Sequence, residues 1–80
     1  MNSIKDIIWR LTRDLAEALN AWTVSVPHID YEYNYIVLEF YNEHGDVIMD
    51  YALYLRDIMK ITDDVSYMKL LYNMILKHYE

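Results

Sequence analysis

Residues 33–54, YNYIVLEFYNEHGDVIMDYALY, decide the fold, because two runs of aromatic and β-branched residues flank the only glycine of the chain. The first run extends from Tyr33 to Tyr41 and the second from Val47 to Tyr54. A polar segment, Glu43-His44-Gly45-Asp46, separates them. Two such runs around a short segment that contains glycine are typical of a β-hairpin.

A two-residue loop at His44-Gly45 fixes which side chains of the hairpin face each other, and it sorts them onto two faces. One face pairs Phe40 with Met49, Leu38 with Tyr51 and Ile36 with Leu53, as expected for a surface that packs against helices. The other face pairs Tyr41 with Ile48, Glu39 with Asp50, Val37 with Ala52 and Tyr35 with Tyr54. Glu43 would meet Asp46 beside the turn, and a longer loop would shift this register.

Upstream of the hairpin, the sequence predicts a helix and then a strand. Apolar residues recur at three- and four-residue steps from about Ile4 to Asn20, and Ser3 with Asp6 resembles a capping box at the start. The segment Trp22–Val26 alternates apolar and polar residues and stops at Pro27, which predicts a first short strand.

Downstream of the hairpin, Thr62-Asp63-Asp64 is typical of the N-terminal cap of a final helix. Residues Leu55–Ile61 fit either the end of a strand or a helical turn. The predicted fold is therefore α+β, a single domain of residues 1–80 with the order helix, three-stranded antiparallel sheet, helix (αβββα). Both helices are expected to pack on one face of the sheet.

The charge of the chain is concentrated in its middle. The net charge is −6, and the 42 residues from Asp14 to Leu55 hold eight carboxylates and no Lys or Arg. Such a field is repelled by nucleic acid phosphates and by anionic lipid, and it is attracted to basic protein surfaces. The expected partner is a basic DNA-binding protein, with no direct binding of nucleic acid or membrane.

The outer face of the hairpin is the expected binding surface. Two like-charged pairs, Glu39/Asp50 and Glu43/Asp46, would destabilise the sheet by about 0.2–1 kcal/mol each, so the fold alone does not favour them. Tyrosines nearby would add contact area at low entropic cost. The predicted partner-binding residues are Asp30, Glu32, Tyr35, Glu39, Tyr41, Glu43, Asp46, Asp50 and Tyr54.

The last helix carries two apolar stripes, and an 80-residue domain has room to bury one of them on its own sheet. The first consists of Val65, Met68, Tyr72, Ile75, Leu76 and Tyr79. The second consists of Tyr67, Leu70, Leu71 and Met74. We expect the second stripe, together with Trp9, to form the interface of a symmetric homodimer.

Residues that carry catalytic or metal chemistry are sparse. The chain has no cysteine, and His28, His44 and His78 lack the spacing of a metal site. One glycine excludes a phosphate-cradling loop, and no serine sits in a nucleophile elbow. We expect no catalytic residues, no metal and no cofactor, and therefore no enzyme. The missing cysteines and the lack of an apolar leader at the N-terminus favour a cytoplasmic location.

The small size, the acidic balance, the helix–sheet–helix order and the nine tyrosines together resemble one class of protein. This class comprises the small acidic DNA-mimic proteins that phages encode against host nucleoid proteins, sliding clamps, repair enzymes or CRISPR nucleases. No sequence motif defines the class, so the resemblance assigns no residues. It implies an inhibitor that competitively blocks DNA binding by a host protein, and a nucleoid-type partner is the preferred one.

Two alternative functions are compatible with the same composition. An immunity- or antitoxin-like protein would block one specific basic nuclease through a few strong contacts. A small accessory subunit would instead use the hydrophobic last helix, and its acids would only keep it soluble.

Overall fold

The computed structural model of the chain describes residues 3–25 and 28–79 and confirms the α+β fold. An N-terminal helix precedes an antiparallel sheet, and the C-terminal helices pack against that sheet. The helices are α1 (Ile4–Ala18), α2 (Leu55–Met59) and α3 (Asp64–His78). The strands are β1 (Thr23–Val24), β2 (His28–Asp30), β3 (Tyr35–Tyr41) and β4 (Val47–Tyr54).

Helix α1 forms where its periodicity predicts it. The Ser3 hydroxyl oxygen accepts a hydrogen bond from the backbone N–H of Asp6 and so caps the first turn. The apolar face buries Ile7, Leu11 and Leu15 in the core. The helix ends before Asn20, whose φ of +53° breaks the helical path.

Strand β3 is the centre of the sheet. Strand β4 pairs along one of its edges, whereas β1 and β2 pair in succession along the other. The prediction of one strand at Trp22–Val26 is therefore only partly right, because two short strands occupy this edge. Val26 and Pro27 lie outside the described residues.

The first strand of the predicted hairpin begins at Tyr35 rather than at Tyr33, because residues 31–34 form a turn from β2 into β3. The carboxylate of Asp30 accepts hydrogen bonds from the backbone N–H groups of Glu32 and Tyr33, at 2.9 and 3.1 Å. Asn34 adopts a φ of +57° at the end of this turn, a conformation that asparagine tolerates well.

Residues 42–46 connect β3 and β4, and the backbone pair of Asn42 with Asp46 encloses a loop of three residues, 43–45, instead of the predicted two. The backbone N–H of Asn42 donates to the carbonyl of Asp46, and the N–H of Gly45 donates to the carbonyl of Asn42. Gly45 has a φ of +83°, which glycine adopts without strain. The predicted Glu43/Asp46 pair is therefore wrong, because Glu43 lies within the loop.

A bulge in β4 restores the predicted register despite the longer loop. Tyr41 pairs with Val47 instead of Ile48, and Phe40 then pairs with Met49, which leaves Ile48 as an extra residue. From Phe40 back to Tyr35 every pair matches the prediction, including Glu39 opposite Asp50. Ile48 packs partly against the core instead of lying opposite Tyr41.

The core lies between one face of the sheet and the helices, as predicted. Ile36, Leu38 and Phe40 of β3 are completely buried there, and Tyr51 and Leu53 of β4 lie beside them. The ambiguous segment that begins at Leu55 forms the short helix α2, which buries Ile58.

Helix α3 begins with a complete capping box. The Asp63 carboxylate accepts from the backbone N–H of Ser66, and the Ser66 hydroxyl oxygen accepts from the backbone N–H of Asp63. The hydrogen bond from the Ser66 N–H lowers the pKa of the Asp63 carboxyl. Lys77 and His78 lie in the last turn, at the negative end of the helix dipole.

The assignment of the two stripes of α3 is reversed in the structure. Tyr67, Leu71 and Met74, which we expected at a dimer interface, are buried in the core of their own chain. Leu70 is half-buried against that core, and only Trp9 of the predicted interface is exposed. The other stripe lies at the surface, apart from the half-buried Ile75, and its exposed residues are Val65, Met68, Tyr72, Leu76 and Tyr79.

Candidate protein-binding surface

The face of the sheet that points away from the core is uncovered in the described part of the chain, and we call it the open face. Side chains alternate along a strand, so the residues between the buried positions lie on this face. Those from β3 are partly exposed, and those from β4 are exposed. The open face consists of Thr23, His28, Asp30, Tyr35, Val37, Glu39, Tyr41, Asp50, Ala52 and Tyr54.

The acidic pair Glu39 and Asp50 lies directly across the β3–β4 ladder on the open face. Asp50 is exposed and Glu39 is half-buried. Throughout residues 3–25 and 28–79, no Lys or Arg forms an ion pair with either carboxylate. The two negative charges are therefore left for solvent or for a binding partner.

The loop at the end of the hairpin adds two more exposed carboxylates, Glu43 and Asp46. The Asn42 side-chain oxygen holds this loop, because it accepts from the N–H of His44 at 2.8 Å and from that of Asp46 at 3.0 Å. Glu43 lies 3.5 Å from the His44 ring. Since Glu39 is three residues before Asn42, about 10 Å along the strand, the acidic pair and the acidic loop share one end of the sheet.

The opposite end of the open face has a different character. The Asp30 carboxylate is engaged by the turn that follows it, and Glu32 is exposed within that turn. The Tyr54 ring is half-exposed, with the Arg56 guanidinium 4.8 Å from its centroid. This end is aromatic and carries a base, so the negative potential concentrates towards the loop.

Trp22 is a surface residue that the sequence interpretation missed as a candidate. Its side chain is 70% exposed, and its backbone N–H donates to the carbonyl of Tyr41. A shallow cavity next to it is lined by Asn20, Ala21, Asn42 and Glu43. An exposed tryptophan beside an acidic loop is a typical anchor in protein interfaces. The sequence did not single out Trp22 as a binding residue, because a tryptophan at the start of an alternating segment is explained equally well as part of a strand.

Asp14 belongs to the segment from Asp14 to Leu55 that lacks Lys and Arg, but it is not part of this surface. It lies between α1 and α3, where it contacts Arg10 at 3.9 Å and Arg13 at 3.6 Å. It also accepts a hydrogen bond from the Tyr67 hydroxyl at 2.5 Å. Burial, followed by the hydrogen bond to Asp14, raises the pKa of Tyr67.

Residues 3–25 and 28–79 provide neither a candidate metal site nor a membrane-spanning helix. No group of three His, Asp or Glu side chains is placed to hold a metal ion. None of the helices in this part of the chain is long and apolar enough to cross a bilayer.

Comparison of the chain with protein-family models, with characterised proteins and with solved structures gives no significant match. The functional conclusion therefore rests on the open face and the loop beside it.

Proposed function

We propose that this protein is an acidic DNA-mimic inhibitor that binds the basic nucleic-acid-binding surface of a host protein. The preferred partner is a nucleoid-type DNA-binding protein in the cytoplasm of a host cell, and binding blocks DNA competitively. The observation that carries this proposal is the pairing of Glu39 with Asp50 on an uncovered sheet face, with no Lys or Arg between Asp14 and Leu55.

An unfavourable charge pair argues for a binding role. Like charges directly across a ladder destabilise a sheet by about 0.2–1 kcal/mol, and a neutral pair at this position would be better for the fold. A Lys or Arg of a partner, placed between Glu39 and Asp50, would convert the repulsion into two attractive contacts. Carboxylates in that role take the place of DNA phosphates.

The residues around the acids suit a protein partner better than a small ion. Tyr41 lies between Glu39 and the loop, and Trp22 borders Glu43 on the other side. Aromatic side chains of this kind provide apolar area with few rotatable bonds. The negative potential would speed association with a basic surface, and the affinity would fall as salt screens it.

A matched pair of variants tests the proposal. The double variant Glu39→Gln/Asp50→Asn removes the paired charges, whereas Glu17→Gln/Asp57→Asn removes two charges from the helices and gives the same net charge. The wild type and the control should capture a DNA-binding protein from bacterial lysate, and duplex DNA should release it. The open-face variant should capture little of it.

The captured protein then allows competition between this chain and DNA to be measured directly. Its complex with a fluorescent duplex should lose anisotropy when the wild-type chain is added, and the loss should shrink at high salt. Equal capture and equal competition by both double variants would show that the open face is not the binding surface.

The exposed Trp22 favours a second candidate, an immunity- or antitoxin-like inhibitor of one basic nuclease. Such a protein gains its affinity from a few desolvated anchors and keeps it at moderate salt. Binding that survives both excess DNA and moderate salt, and that is lost in Trp22→Ala, would favour this candidate over DNA mimicry.

A further inference from the structure

The outer side of α3 is an apolar stripe that remains uncovered in the described part of the chain. Val65, Met68, Tyr72, Leu76 and Tyr79 follow each other at three- and four-residue steps, and each is between 48% and 69% exposed. We call this set the outer stripe. A continuous stripe of large apolar side chains on a helix marks an interaction surface.

The outer stripe matches a copy of itself. In an antiparallel arrangement about a two-fold axis through Tyr72, Val65 lies opposite Tyr79 of the second copy, and Met68 lies opposite Leu76. Tyr72 then meets its own counterpart. Every residue of the stripe thus faces another residue of the stripe, as an isologous interface requires.

The charges at the two ends of α3 support the same arrangement. Its N-terminal end carries Asp63 and Asp64, the second of which also pairs with Arg10, and its last turn carries Lys77 and His78. In an antiparallel pair, the acidic end of one helix lies beside the basic end of the other, and the two helix dipoles also oppose each other. A parallel pair would place like charges together.

We infer that two copies of this chain associate through the outer stripes of their α3 helices, in antiparallel orientation about Tyr72. The occupant of the stripe is thus a second copy, and the surface differs from the stripe that the sequence suggested. This inference does not depend on the proposed function, because the helices lie on the other side of the sheet from the open face. A dimer of this kind leaves both open faces accessible.

Sedimentation equilibrium tests the association. The wild type should behave as a dimer at micromolar concentrations, and Tyr72→Glu should raise the dissociation constant by more than about tenfold, because it places two buried charges on the axis. Tyr31→Glu is the matched control, since Tyr31 is 77% exposed in the turn between β2 and β3. A wild type that is monomeric at every concentration, or a Tyr72→Glu variant that associates like the wild type, would overturn the inference.

The absence of cysteine from the chain allows a clean test of orientation. Tyr72→Cys should form a disulfide with its own copy under mild oxidation. A mixture of Met68→Cys and Leu76→Cys should form a mixed disulfide faster than either variant forms a disulfide alone. Met68→Cys that reacts with itself as fast as in the mixture would contradict the antiparallel arrangement, and far-UV circular dichroism would verify that each variant is folded.

Discussion

The hydroxyl of Tyr67 on α3 donates a hydrogen bond to the carboxylate of Asp14 on α1, and this bond connects the two long helices. The Arg10 guanidinium lies 4.0 Å from the centroid of the same ring, and it also pairs with Asp64 at the start of α3. A buried hydroxyl needs a partner, and Asp14 provides it. With this contact in place, the Tyr67 side of α3 faces the core and the outer stripe lies at the surface.

Tyr67→Phe should lower the free energy of unfolding by about 1–2 kcal/mol, because a hydrogen bond to a charged acceptor is lost while the ring stays packed. This loss of stability is smaller than the loss expected when a fully buried carboxylate is left without a partner, since Asp14 keeps its contact with Arg13. Urea denaturation measures the change. Tyr31→Phe, at a tyrosine that is 77% exposed, is the control and should change stability by less than about 0.5 kcal/mol. Equal losses in both variants would contradict a specific role for the Tyr67 hydroxyl.

The raised pKa of Tyr67 predicts a loss of stability in alkali. An unfolded tyrosine ionises near pH 10, whereas the folded Tyr67 keeps its proton to higher pH. The contribution of Tyr67 to the free energy of unfolding is therefore complete below about pH 10, and it is lost as the pH rises through the pKa of the folded state. Urea denaturation between pH 8 and pH 11, a range set about the tyrosine pKa, should show a steeper decline for the wild type than for Tyr67→Phe. A residual slope should persist in the variant, because burial also raises the pKa of Tyr51.

Neutralising one member of the acidic pair should stabilise the fold. Glu39→Gln should raise the free energy of unfolding by about 0.2–1 kcal/mol at low salt, because it removes the repulsion from Asp50. The gain should shrink as salt is added, since added ions screen the repulsion in the wild type. Glu17→Gln, on the exposed side of α1, serves as the control. A destabilised Glu39→Gln would mean that the pair is not repulsive in the folded chain.

Gly45→Ala should lower the free energy of unfolding by about 1–2 kcal/mol, because an alanine pays a steric penalty at positive φ. The penalty comes from the backbone alone, since an added Cβ meets no atom within 4 Å. Gly45→Asn should lose less, because asparagine tolerates this conformation better. Thermal unfolding of the three proteins would rank them, and an alanine variant as stable as the wild type would exclude a positive φ at this position.

The hairpin illustrates how far the sequence determined the site. The pairing of Glu39 with Asp50 was predicted from a two-residue loop, and the alternation of apolar and polar residues supports it, because a one-residue slip would expose Leu38 and Phe40. The loop length was predicted one residue too short, and the bulge at Ile48 compensates for that difference. A bulge has no compositional signature here, since Val47, Ile48 and Met49 are all acceptable strand residues.

The stripes of α3 could not be assigned from their own residues. Both are apolar and both contain tyrosine, so the hydrophobic pattern has no preferred face. What distinguishes them in the structure is a contact from another element, because the carboxylate of Asp14 accepts a hydrogen bond from Tyr67 of the buried stripe. Tyr33 and Asn34 were misassigned to the strand for a comparable reason, because Asp30 and Asn34 stabilise a turn in a segment whose tyrosines favour a strand.

The bulge at Ile48 separates the tip of the hairpin from its body. A tip that is one residue shorter could be accommodated by losing the bulge, and Glu39 would still face Asp50. The tip can thus change its length by one residue without moving the acidic pair, so contacts made by the tip and contacts made by the pair can be altered independently.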